Sequence, residues 1–126
     1  SDTNSDYPEV DIYELIGNEP NIFYGVLHYM EESEKSRDFF RHTFPVDKIP
    51  ETYRITFEWT QEEMVWYLGD EIIYTIQDNV PDEPLYFIFN LAVGGNWPGS
   101  PDADTEFPAM FEVEILEFMP QEIYSR

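Results

Sequence analysis

Five short segments rich in β-branched and aromatic residues, each bounded by turn-forming residues, constrain this chain more than any other feature. They are 21–30 (NIFYGVLHYM), 53–60 (YRITFEWT), 64–68 (MVWYL), 71–77 (EIIYTIQ) and 85–93 (LYFIFNLAV). Such side chains fit a pleated, half-buried surface, and runs this short read as strands. Between them lie 17–20 (GNEP), 69–70 (GD), 78–81 (DNVP) and the loop 94–108, whose Gly, Asn, Asp and Pro favour turns. Many short strands spaced by turns predict an all-β chain, an antiparallel β-sandwich or jelly roll. Only residues 31–40 read as a helical turn, and their charge density equally fits an exposed loop. With no internal repeat and no linker, the 126 residues fit one domain.

Composition decides what such a domain can meet. Hydrophobic residues make up 42% and aromatic residues 17%, enough to bury a core, so this is no disordered acidic tail. Asp and Glu number 27 against 6 Lys and Arg, a formal charge of −21 that repels nucleic acid and anionic membranes. A neutral or cationic partner is expected, and the charge also suits solubility in concentrated salt. The absence of cysteine excludes disulfides, thiol chemistry and Cys-ligated metals. No apolar run approaches a membrane span and the start, SDTNSDYP, is polar rather than signal-like, so a soluble chain is expected.

Within PEVDIYELIGNEP (8–20), Glu9, Asp11 and Glu14 interrupt a strand-like run. Side chains alternate along a regular strand, which puts Glu9 and Asp11 on one face and Glu14 on the apolar other. One extra residue in a β-bulge reverses the parity and returns Glu14 to the face of Glu9 and Asp11. The outer two α-carbons would then be roughly 13 Å apart. Side chains leaning inward could bring the carboxyls to about 5 to 6 Å, the separation at which one carboxylate attacks a sugar and the other protonates its leaving group. Crowded carboxylates do not all ionise easily, so one would stay protonated beside an ionised nucleophile, with Asp11 tuning the proton. The spacing alone fits a solvated strand face better than a catalytic one, because a chain this acidic produces such a pattern by chance about once.

The residues around that pattern resemble glycoside hydrolase family 16, in its laminarinase-like, endo-β-1,3-glucanase branch. EVDIYE matches the family signature Glu-x-Asp-x-x-Glu, and LIGNEPNIFYGVLHY, YRITFEWTQEEMVWYLGDE, PLYFIFNLAVGGNWPG and MFEVEILEF follow in the family's order. The resemblance implies a concanavalin-like jelly roll, with Glu9 as nucleophile, Glu14 as general acid/base and Asp11 as the assisting carboxylate of a retaining hydrolase acting on β-glucan. It implies that His28 faces the same cleft, where it would hydrogen-bond the sugar or a carboxylate; the lesser alternative is a satisfied core histidine. Because the family carries its signature mid-chain, 1–126 corresponds to the C-terminal half of the family domain, an incomplete sandwich. A homo-oligomer or a companion chain carrying the first half is therefore an expected partner. The alternative is a non-catalytic β-glucan-binding or structural fragment. An extracellular workplace follows from the family. No catalytic metal or cofactor is expected; calcium, as a structural ion, is the one plausible metal, with Glu114 standing where the family has a last-strand aspartate.

The remaining candidates rest on their own surroundings. Trp97, in a glycine-rich loop, is placed to stack on a sugar, whereas Trp59 and Trp66 alternate with apolar residues and are expected in the core. Asn90 and Asn96 each offer an amide to the cleft, or equally cap a turn. Gly94 and Gly95 allow a tight turn and, with no helix following, make no phosphate cradle. His42, in a charged region, is given no role.

Overall fold

A computed structural model of the chain describes residues 7–89, 102, 113 and 114. The chain divides into two compact units, Ser1–Phe87 and Ile88–Arg126, and all six described strands lie in the first. They are β1 (Glu9–Leu15), β2 (Ile22–Glu31), β3 (Glu34–Thr43), β4 (Ile55–Trp59), β5 (Met64–Leu68) and β6 (Glu71–Ile76). Each consecutive trio forms one antiparallel sheet, in the orders β1-β2-β3 and β4-β5-β6. Among the described residues the one helical element is a short 3-10 turn at Val46–Lys48.

The two sheets close on a shared core. Phe23 and Leu27 of β2 and Phe40 of β3 meet Met64 and Trp66 of β5 and Ile76 of β6. Aromatic contacts cross the seam: Phe40 packs against Trp66 with ring centroids 5.3 Å apart and against Tyr74 at 4.9 Å. Polar groups at the seam find partners, since the Tyr74 hydroxyl donates to Asp38 and the Tyr13 and Tyr53 hydroxyls lie 2.7 Å apart. Gly25 is needed where the layers approach. A Cβ there would collide with the Phe40 ring and come within 3.0 Å of Trp66 Nε1.

Three sequence expectations change. Residues 31–40 are neither helical turn nor loop. They contain a hairpin turn at Glu32 and Ser33, both in left-handed backbone (φ 50° and 69°), and most of β3. The turn lacks the Asn-Gly signature of such hairpins. Its strand also inverts the usual pattern, with Ser36, Asp38 and His42 on the inward parity of Phe40 while Phe39 points out. Trp66 is fully buried as expected, but Trp59 is 36% exposed. It keeps the parity of Ile55 and Phe57 yet ends its strand, where its indole N–H donates to the Pro81 carbonyl at 3.0 Å. Finally, 85–89 joins neither sheet, and Tyr86, Phe87, Ile88 and Phe89 are exposed. High β propensity describes fit to a pleated surface and does not by itself make a strand.

Candidate active site

The register of β1 on β2 fixes which way the acids point. Glu9 pairs with His28 and Asp11 with Val26, but Glu14 pairs with Tyr24, so β1 advances three residues while β2 moves two. One extra residue therefore sits in β1 between Asp11 and Glu14. Directly opposed residues share a face, so Glu9, Asp11 and Glu14 stand with His28, Val26 and Tyr24. Val10, opposite Leu27, takes the core side, and Leu15, opposite Phe23, shares its parity but ends the strand exposed.

A bulge takes backbone groups out of the strand ladder, and here one of them is met from the other sheet. Trp66 Nε1 donates to the carbonyl oxygen of Ile12, inside the bulge, at 2.9 Å. The buried indole thus holds the irregularity that turns Glu14 outward. Because Trp66 is itself fixed by Phe40 and Phe57, the site's geometry is tied to the core.

Electrostatics then separate the acids. His28 Nε2 donates to Asp11 Oδ2 at 2.9 Å. Burial pushes the Asp11 carboxyl up, but its hydrogen bonds with His28 and with Glu9, and the His28 charge, outweigh it and hold Asp11 below the usual carboxylate range. His28 is raised by that same hydrogen bond, against burial, with the charges of Asp11, Glu9 and Glu14 adding to it. Glu14 is raised by burial and then by the Asp11 charge, with His28 opposing. The arrangement therefore keeps a proton on Glu14 to higher pH while Asp11 stays ionised.

Glu9, Asp11 and His28 also bring one polar atom each within 4.8 Å of one another. His28 Nε2 and one Asp11 oxygen are already engaged with each other, and calcium takes oxygen ligands, so the trio does not suit that ion. Glu114, which stands where the family has a last-strand aspartate, is exposed.

His28 is half-buried on the carboxylate face rather than in the core. His42 lies on the core side, its ring 4.8 Å from Phe44 and 5.2 Å from Phe23. Trp97, Asn90 and Asn96 lie outside the described residues. Sequence reasoning missed Tyr7, whose ring lies 5.6 Å from His28 with Lys35 Nζ 5.1 Å from its centroid. It also missed the outward row of β3, Lys35, Arg37, Phe39 and Arg41, because EKSRDFFRHT has one phenylalanine on each face and so no apolar face for a period of two to reveal.

Two antiparallel sheets packed over a common core, one of them turning acids and a histidine away from that core, define an all-β sandwich with a polar working face. The chain belongs to glycosyl hydrolases family 16, whose family model matches residues 1–112. It is 28% identical over 125 residues to a beta-glucanase of Rhodothermus marinus, covering 88% of this chain and 44% of that protein. It is 29% identical over 129 residues to a glucan endo-1,3-beta-glucosidase of Cryptopygus antarcticus, covering 86% of this chain and 48% of the relative. The X-ray structure of endo-beta-1,3-glucanase from Pyrococcus furiosus superposes with a TM-score of 0.66 at 28% identity, over 83% of this chain and 48% of that one. The chain thus spans about half the length of these relatives. The resemblance read from the sequence and the expected antiparallel sandwich of jelly-roll type are both borne out.

Proposed function

We propose that this chain carries the catalytic face of an endo-acting, retaining glycoside hydrolase that cleaves β-1,3-glucan of the laminarin type. The observation that carries the proposal is the extra residue in β1, which gives Glu9, Asp11 and Glu14 a common face while the Glu14 proton is held to higher pH. Glu9 attacks the anomeric carbon as the glycosidic C–O bond breaks, and Glu14 gives its proton to the departing oxygen. The resulting glycosyl ester on Glu9 is hydrolysed by water whose proton passes to Glu14, so the anomeric configuration is retained. Asp11, ionised and hydrogen-bonded to His28, raises Glu14 by its charge and orients Glu9. Two carboxyl groups and water complete this chemistry, so no cofactor is invoked. The names of the relatives support a β-1,3-linked glucan, and a polymer of that size is met outside the cell, so we assign an extracellular workplace.

A second reading rests on length. A match to about half of each relative favours a non-catalytic β-glucan-binding or structural piece, because transition-state stabilisation draws on subsites on both sides of the scissile bond. Under the first reading a second copy, a companion chain or a longer parent chain supplies the rest of the cleft. Reducing-end release from laminarin, with Glu9→Gln as control, separates the two. The hydrolase reading expects release that the substitution abolishes; binding without release, unchanged in Glu9→Gln, defeats it.

A further inference from the structure

The row of β3 that faces the same way as the carboxylates has a definite order. Register across the sheet aligns Glu9 with His28 and Arg37, Asp11 with Val26 and Phe39, and Glu14 with Tyr24 and Arg41. Lys35, opposite Met30, extends the row. Three of the chain's six Lys and Arg residues thus stand on this one face, two strand spacings or roughly 10 Å from the acids. Among the described residues none of these three cations is ion-paired with a carboxylate, the ion pair found there joining His28 and Asp11. Between the two arginines Phe39 is 51% exposed, with the Arg37 guanidinium 5.3 Å from its ring centroid. Among the described residues β3 ends its sheet; basic residues on an edge strand discourage strand-to-strand aggregation, but an exposed phenylalanine among them works against that purpose.

We propose that Arg37, Phe39 and Arg41 form a second sugar subsite, which takes a polysaccharide residue bearing an anionic group, a sulfate ester or a carboxylate. The proposal rests on the glycan-cleaving reading of this face and names the substrate it prefers. Phe39 offers an apolar plate to the ring, and a guanidinium matches the paired oxygens of sulfate or carboxylate with two parallel N–H donors. Tyr24 and Val26 of β2, both buried, stand between this row and the acids. The −21 charge does not forbid the ligand, because exposed charges beyond about 10 Å are largely screened at 0.1 M salt while the two arginines touch it. The substituted sugar lies beside the scissile bond rather than at it, where Glu9, Asp11 and Glu14 would repel an anion.

The test measures binding to the Glu9→Gln chain, which does not turn its ligand over. The probes are neutral laminarin, partially sulfated laminarin and carboxymethylated laminarin, each at about 0.1 M and about 1 M NaCl. At low salt one or both anionic forms should bind on the order of 10-fold tighter than the neutral form, and the tighter arm identifies the anion. The preference should fall at high salt and vanish in Arg37→Gln/Arg41→Gln, with the melting temperature unchanged. Arg37→Lys/Arg41→Lys should retain part of it. Equal binding of all three probes, or a preference that survives loss of both arginines, overturns the proposal. Failure of the hydrolase reading appears separately, as no reducing ends released from neutral laminarin by the unsubstituted chain, and leaves this preference readable.

Discussion

Asp11 touches both neighbours that matter, accepting a hydrogen bond from His28 and sharing one with Glu9, while its charge raises Glu14. Replacing it by Asn removes that charge, so the alkaline limb of the pH profile of kcat, which reports Glu14 losing its proton, should move to lower pH. An unmoved limb would show that Asp11 does not set that proton. Stability has its own signs. Asp11, depressed in the fold, contributes stability above its ordinary 3.8 that is lost as pH falls through its folded value. His28, raised, contributes stability below its ordinary 6.5 that is lost as pH rises through its folded value. The advantage of the native chain over His28→Asn, measured as melting temperature against pH, should therefore be greatest between about pH 4 and 6.5 and shrink on either side. The three acids were legible in the sequence because their spacing conflicts with strand parity. His28 was legible only through family resemblance, since nothing within YGVLHY says which face it takes. Arg37, Phe39 and Arg41 were not legible, because their strand was not.

At the scale of elements the working parts are one bulge in β1 and one indole that meets it. Trp66→Phe keeps most of the packing but leaves the Ile12 carbonyl without its donor. It should cost about 1–3 kcal/mol in denaturant unfolding and should lower kcat more than it raises KM, as Glu14 loses its fixed position. A loss of stability with kcat intact would make Trp66 a core residue and nothing more. Gly25→Ala pushes Phe40 and Trp66 from beneath the same contact and should cost about 1–3 kcal/mol. β1, β2, β4, β5 and β6 were readable because apolar and aromatic residues cluster in them between Gly, Asn and Pro. β3 was hidden, since long-range contacts rather than local pattern account for its inward polar residues: Asp38 is met by Tyr74, 36 positions away, and His42 by Phe23 across the sheet.

For the whole molecule, a charge of −21 over 126 residues should destabilise the folded state by self-repulsion. Raising NaCl from about 0.01 M to about 1 M shortens the screening length from 30 to 3 Å, so the melting temperature should rise; a fall would mean that attractive pairs outweigh the repulsion. The sandwich class was legible because strand spacing and turn chemistry repeat along the chain, whereas the extra residue in β1 was legible only as the condition under which three acids could share a face. Whether that shared face does chemistry is answered most directly by azide, a small anion that can replace either carboxylate. On an activated β-glucoside of a laminarin oligosaccharide, azide should restore turnover to both Glu9→Ala and Glu14→Ala, giving the α-glycosyl azide from the first and the β-glycosyl azide from the second. The same anomer from both variants, or rescue of neither while the native chain turns over, would contradict the assignment of Glu9 as nucleophile and Glu14 as acid/base.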